Sequence, residues 1–139
     1  VQALMKKYKP HRLRIPAESY RFKVWTAKPV RVMGRNGLTF LAKRAEKDAR
    51  RLGFTTTDHF WGMVDGGNMN EANLSYIIKQ LPFGVHEIMM NPGLHTNVLA
   101  QPFTWGYQWP DEQAAPLSPA IRNLLQKREI KCSHYGDLP

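Results

Sequence analysis

Asn91 and His95 are the residues of this chain whose position most suggests chemistry. They follow a short apolar run, Val85 to Met90, that ends abruptly in Asn91-Pro92-Gly93. A run of that length bounded by turn residues reads as a buried strand. Pro92 cannot donate to a ladder and Gly93 frees the backbone, so the strand stops there. In parallel α/β sheets the chemistry sits just past the carboxyl ends of strands. Asn91 and His95 therefore stand where a site would be.

Trp105, Tyr107 and Trp109 follow that strand. Their flat faces could stack on the apolar CH faces of sugar rings. Covering a sheet edge is an equal alternative for them. His11, His59, His86, His95 and His134 show no H-x-H, H-E-x-x-H or Cys-pair spacing, so no metal signature stands. Asp58-His59 could offer two ligands, but strand alternation points neighbours to opposite faces. His86 reads as a packed or surface residue. Gly66-Gly67 is a turn rather than a phosphate loop. Cys132 falls in an expected strand and reads as an inert core thiol.

The elements that must position these groups follow from periodicity. Val1 to Lys9 reads as the end of a helix stopped by Pro10, and His11 to Ile15 as a short strand. Ala17 to Arg35 reads as a loop, with a short strand over Phe22–Trp25. A helix follows from Gly37 to Leu52, with Asn36 as its cap, Leu38, Leu41, Ala45, Ala49 and Leu52 as its buried stripe, and Gly53 ending it. Thr55 to Met63 is rich in β-branched and aromatic residues and reads as a strand. Asp65-Gly66-Gly67-Asn68 is a turn. Asn70 caps a helix running to Gln80 whose stripe is Leu74, Ile77, Ile78 and Leu81. After the Val85–Met90 strand comes a loop from His95 to Pro116. Ser118-Pro119 opens a last helix, and Ile130 to Tyr135 reads as a last strand. The order α-β-(loop)-α-β-α-β-α-β predicts an α/β fold of parallel β/α units, with residues 1–139 as one domain.

Composition narrows the class. A chain of 139 residues, 42% hydrophobic, is globular, and no run approaches the length of a membrane helix. No signal peptide opens it. A single cysteine rules out an internal disulfide and mildly favours the cytoplasm. The formal charge is +9, gathered at Lys6–Arg14 and Lys43–Arg51. Solvated helix faces explain these clusters more simply than a polyanion does, and no standard DNA- or RNA-binding motif is present. Nucleic acid and membrane are therefore not expected partners. Because the chain opens on Val1, it is expected to be processed or a piece of something longer.

The series TTDHFWG, LPFGVHEIMMNPG and LSPAIRNLLQKREIKCSHYGDL, preceded by RLRIPAE, resembles the C-terminal half of the YdjC-like carbohydrate deacetylases (the ChbG/HpnK group), from about Arg12 to Leu138. No single motif is very specific, but the order is kept. The resemblance implies part of a distorted (β/α) barrel and metal-dependent hydrolysis of N-acetyl groups from an amino sugar or chito-oligosaccharide. It implies a divalent ion, magnesium or zinc, in the complete family protein. The ligands would come from an N-terminal half that precedes Val1, so no metal is expected on this chain alone. The resemblance also places Arg14 and Glu18 after the first strand as substrate-binding residues, with His95, Trp105 and Tyr107 lining the cleft. Asn91 then stands where the family has a histidine, and Gln113 where it has a glutamate, which removes ionisable groups. The expectation is a chain inactive alone, which self-associates or needs its missing half. A non-catalytic carbohydrate-binding or regulatory module and a basic nucleic-acid binder are the alternatives.

Overall fold

The structure is a computed structural model that describes residues 11–19, 29–94 and 106–138. Expectations for the helix before Pro10, the strand at Phe22–Trp25, His95 and Trp105 fall outside these residues.

Two helix starts follow local chemistry directly. Asn70 is extended and its side chain accepts from the backbone N–H of Asn73, which opens helix α2 at Glu71–Gln80. The hydroxyl of Ser118 accepts from Ala120 N–H and Pro119 takes the first turn, which opens helix α4 at Pro119–Lys127. The apolar stripe of α2 buries Leu74, Ile77 and Ile78, as its spacing predicts. Ile121 of α4 packs into the same core, with Trp61, Val64 and Met69. Arg128, just past α4, donates to the carbonyls of Ile78 and Leu81 and so ties the end of α2 to the end of α4.

The sheet is small and parallel. Strand β1 is His59–Trp61 and β2 is His86–Ile88, with α2 between them. His59 pairs with His86, Phe60 with Glu87 and Trp61 with Ile88. Residues 11–19 run beside β1 through parallel bridges Arg12–Thr55 and Glu18–Phe60. All three tracks therefore point the same way. Trp61 and Ile88 pack with the helices in the core, and the His86 ring stacks on His59 with centroids 4.7 Å apart. Its Nδ1 accepts from the Trp61 indole, which puts its proton on Nε2, facing the Pro82 carbonyl. Burial lowers the His86 pKa from its ordinary value.

The structure departs from several expectations. The first long helix, α1, spans Pro29–Arg51, so it starts well before Asn36, with Gly34 and Gly37 inside it. Asn36 is not its cap; its side-chain oxygen accepts from Arg35 within the helix. The helix does end as expected, at Gly53 with φ +82°. Its buried face is Arg35, Thr39, Ala42 and Ala49, whereas Leu38, Leu41, Phe40 and Met33 are exposed. The cause is tertiary. Small residues let α1 approach Ile15 and Phe54 closely, and Arg35 and Thr39 bind the backbone and carboxylate around Glu18.

The expected loop up to Pro116 contains helix α3, Trp109–Ala114, and a 3-10 turn at Ala115–Leu117. The expected strand over Ile130–Tyr135 is not one. Residues 131–134 are irregular, and a 3-10 turn follows at Tyr135–Asp137, closed by a reciprocal His134–Asp137 capping box. Glu129 at φ 54° turns the chain away from a ladder, and the tail is drawn instead to Arg12 and Glu87. Cys132 is accordingly exposed, not a core thiol. No helix among the described residues is long and apolar enough to cross a membrane.

Candidate functional site at the carboxyl ends of the strands

Three buried carboxyl groups among the described residues, Glu18, Asp65 and Glu112, lie around the carboxyl ends of the parallel tracks. Glu18 ends the first track and is fully buried. One carboxylate oxygen accepts from Gly62 N–H at 2.6 Å and Met63 N–H at 3.1 Å; the other accepts from Val64 N–H at 3.2 Å. Arg35 reaches that second oxygen at 3.5 Å with a side chain only 1% exposed. Burial pushes the Glu18 carboxyl above its ordinary value, against the pull of the three amides and Arg35. The backbone after β1 is thus moulded around a carboxylate.

Asp65 lies in the turn that follows, and it is 3% exposed. Its Oδ2 is buried and has no hydrogen-bond partner among the described residues. Burial first, and then the nearby Glu18 carboxylate, raise its pKa to about 6, while Arg31 and Arg35 oppose the shift. The folded value exceeds the unfolded one, so the stability that the proton contributes is fully present below the ordinary carboxylate range. It is lost as pH rises through about 6. Asp65→Asn carries no charge at any pH. We expect its urea midpoint to change less between pH 5 and pH 7.5 than that of the native chain, a difference on the order of 1–2 kcal/mol. Parallel pH profiles for the two proteins would contradict this.

Asn91 ends the third track. Its backbone N–H donates to Glu112, whose other oxygen accepts from Met69 N–H at 2.9 Å. Glu112 is fully buried and sits in the first turn of α3. It therefore fastens the Asn91-Pro92-Gly93 segment to the loop that leads into α2. The next residue is Gln113, where the resemblance puts a family glutamate; the carboxylate at the strand ends is that of Glu112. The Asn91 side-chain Nδ2 is buried and has no hydrogen-bond partner among the described residues.

Aromatic rings close the flank. Tyr107 lies against Gly67, where a Cβ would come within 2.2 Å of the ring and φ is +87°, so only glycine fits. The rings of Tyr107 and Trp109 are 6.0 Å apart at 51°, and the Arg31 guanidinium stands 6.0 Å from the Tyr107 centroid. Arg31 also donates to the Gly66 carbonyl at 2.7 Å. Gly93 N–H donates to the Trp109 carbonyl. Both residues are half-buried.

The structure thus brings Glu18, Asn91, Tyr107 and Trp109 of the predicted set to one end of the sheet. Arg14 stands apart. Its guanidinium pairs with Glu87, whose other oxygen accepts from the Tyr135 hydroxyl, and burial together with that bond raises the tyrosine pKa. Two concavities of about 330 and 290 Å³ flank the sheet; neither is lined by Asp65, Asn91 or Glu112. Among the described residues no three His, Cys, Asp or Glu side chains are grouped to hold a metal ion.

Asp65, Glu112, Arg31 and Arg35 are absent from the sequence-derived site. Trp109-Pro110-Asp111-Glu112 was the available signal for one of them, because proline and acids mark a helix start. The others act through tertiary contacts with no local pattern.

No curated protein and no solved structure matches this chain. A family model described as YdjC-like protein matches residues 1–127, nearly the whole chain. With the parallel β/α order and the strand-end cluster in place, that match assigns the chain to the YdjC-like family.

Proposed function

We propose that this chain is part of a carbohydrate deacetylase-like hydrolase that removes N-acetyl groups from an amino sugar or chito-oligosaccharide. The observation that carries the reading is Asn91. It is fastened by Glu112 at the carboxyl end of β2, beside the Tyr107–Trp109 pair. Amide hydrolysis needs a held carbonyl and a proton for the leaving nitrogen. An asparagine supplies the first and not the second. The divalent ion implied by the family resemblance would polarise the carbonyl and activate water. The described residues do not fit such an ion, so the part assigned to them is substrate binding and loop positioning.

In the same reading the three parallel tracks belong to a distorted barrel, whose remaining strands come from a second copy or from another stretch of chain. A non-catalytic carbohydrate-binding role is the second reading, favoured by the same amide at position 91. The basic clusters support a nucleic-acid role less, since Arg50 pairs with Glu46 and Asp58, and Arg51 with Asp48.

The test is titration of tryptophan fluorescence with diacetylchitobiose, alongside acetate release in the presence of magnesium or zinc. The expected result is a saturable change at millimolar sugar and no acetate from this chain alone. Acetate release would show that the chain needs no further part; no change at millimolar sugar would remove the carbohydrate reading.

A further inference from the structure

His59 and His86 face each other across the first rung of the β1–β2 ladder, at the amino-terminal end of the sheet. Their rings lie within 13° of parallel. Trp61 stands on the same face of β1, two residues on. Its ring is 6.4 Å from the His59 centroid and 6.0 Å from that of His86, so the three rings form one cluster.

Both nitrogens of the His86 ring are engaged in its neutral form. A carbonyl can only accept, so the Pro82 oxygen, 2.8 Å away, fixes a proton on Nε2. An indole N–H can only donate, so the Trp61 contact at 3.1 Å needs the lone pair of Nδ1. A second proton has no place but Nδ1. It sets one N–H against another and takes from the indole the acceptor it has here. It also puts a cation in the stack. One imidazolium can stand over a neutral ring, whereas two face each other as like charges. The charged and titratable groups around His86 are His59 and Asp58 on the β1 side and Arg128 at the end of α4. Asp58 is already engaged by the Val85 N–H, and His134 of the tail lines the same concavity as His86. Burial opposes the cation most, and His59 and Arg128 oppose it too; the Pro82 carbonyl and Asp58 favour it.

We propose that His86, His59 and Trp61 form a pH-operated latch, closed while His86 is neutral and released when His86 takes a proton at Nδ1. The half-buried ring then turns out to water without unfolding the core. The hold is complete above the ordinary histidine value of 6.5 and is lost as pH falls through the lowered value of the folded chain. Release reaches beyond the rings. The Trp61 carbonyl accepts from Met89 N–H, and the next three residues supply the N–H groups that hold Glu18. Acid thus loosens the backbone that shapes the strand ends, from a site that contains none of their side chains.

The experiment is an NMR titration of the whole chain, uniformly labelled with nitrogen-15, from pH 7.5 to pH 4.5 at constant salt. At pH 7.5 His86 is expected to carry its proton on Nε2. On acidification the Trp61 indole signal should move with the same midpoint as the His86 ring. Its N–H should exchange at least tenfold faster, relative to the Trp109 indole, while the amides of α2 keep their protection. His86→Gln, whose amide can accept from the indole and donate to the Pro82 carbonyl, carries no charge and should abolish the transition at Trp61. His59→Phe keeps a ring in the stack without a second charge and should move the transition to higher pH. A Trp61 signal that stays put while His86 protonates would overturn the latch, as would a His86 that remains neutral throughout. A Trp61 transition that survives in His86→Gln would overturn it in favour of the Asp65 carboxyl, which titrates at about 6. Loss of the α2 amides at the same midpoint would overturn it as well, because release would then be unfolding. If His86→Gln does not fold, His59→Phe decides, and an unmoved midpoint there counts against the latch.

Discussion

Replacing Glu18 with alanine is expected to cost about 3–5 kcal/mol, a large part of the stability of a domain of this size. The loss has two sources. The N–H groups of Gly62, Met63 and Val64 lose their acceptor in a site that admits little water. The Arg35 guanidinium, almost fully buried, keeps the Ser19 carbonyl but loses the carboxylate opposite it. An uncompensated buried charge is costlier than a missing pair. The double variant Glu18→Ala/Arg35→Met should therefore be more stable than the sum of the two single losses implies, by about 1 kcal/mol or more. Urea unfolding followed by tryptophan fluorescence measures all four proteins. Strict additivity would mean that Arg35 does not depend on Glu18, and that the nearby Asp65 carboxylate suffices for it.

The second large effect is at Glu112. Glu112→Ala removes the acceptor from both Met69 and Asn91 N–H and empties a fully buried site. A loss of about 2–4 kcal/mol follows from two charge-assisted hydrogen bonds and the space left behind. The functional effect is local. The amides of Met69 and Asn91 should exchange with solvent at least tenfold faster, while Met89, whose N–H is bound to the Trp61 carbonyl, keeps its protection. Equal acceleration across β2 would mean that Glu112 supports the strand as a whole rather than the Asn91 segment. Glu112→Gln is no substitute for the carboxylate, because its NH₂ must face one of two N–H donors.

Where the fold was legible, the signal was local. Asn70 and Ser118 cap helices because a short polar side chain reaches a free N–H two or three residues on, a fact contained in a few consecutive residues. Asn91 could be placed at a strand end because Pro92 and Gly93 stop the strand beside it. The face of α1 was not legible. Leu38 and Leu41 make the most apolar stripe, yet Arg35 and Thr39 are the buried residues, because their partners lie around Glu18 in a separate part of the chain. A hydrophobic pattern cannot register a buried polar pair. The last strand failed for a similar reason. Its β-like composition was outweighed by the hold of Arg12 on the Leu138 carbonyl and of Glu87 on Tyr135. The site was half legible. Asn91, Tyr107 and Trp109 were singled out by position, whereas Glu112 and Asp65 stand out only through tertiary surroundings that no local pattern records.

The parallel pairing of β1 with β2 bears on the order in which this chain acquires its parts. No hairpin joins the two strands, so no tight turn can start the ladder and let it zip. Each rung closes a loop that contains all of α2, and the entropy of that closure must be met before any rung forms. Helix α2, capped by Asn70 at one end and held through Arg128 at the other, is the piece that can shorten the loop first. The β2 strand then arrives late, and it brings Asn91 with it. The residue that ends the third track is then among the last to reach its place, and a folding intermediate with α2 docked on α4 but no β1–β2 ladder has a helical core and no ordered strand ends.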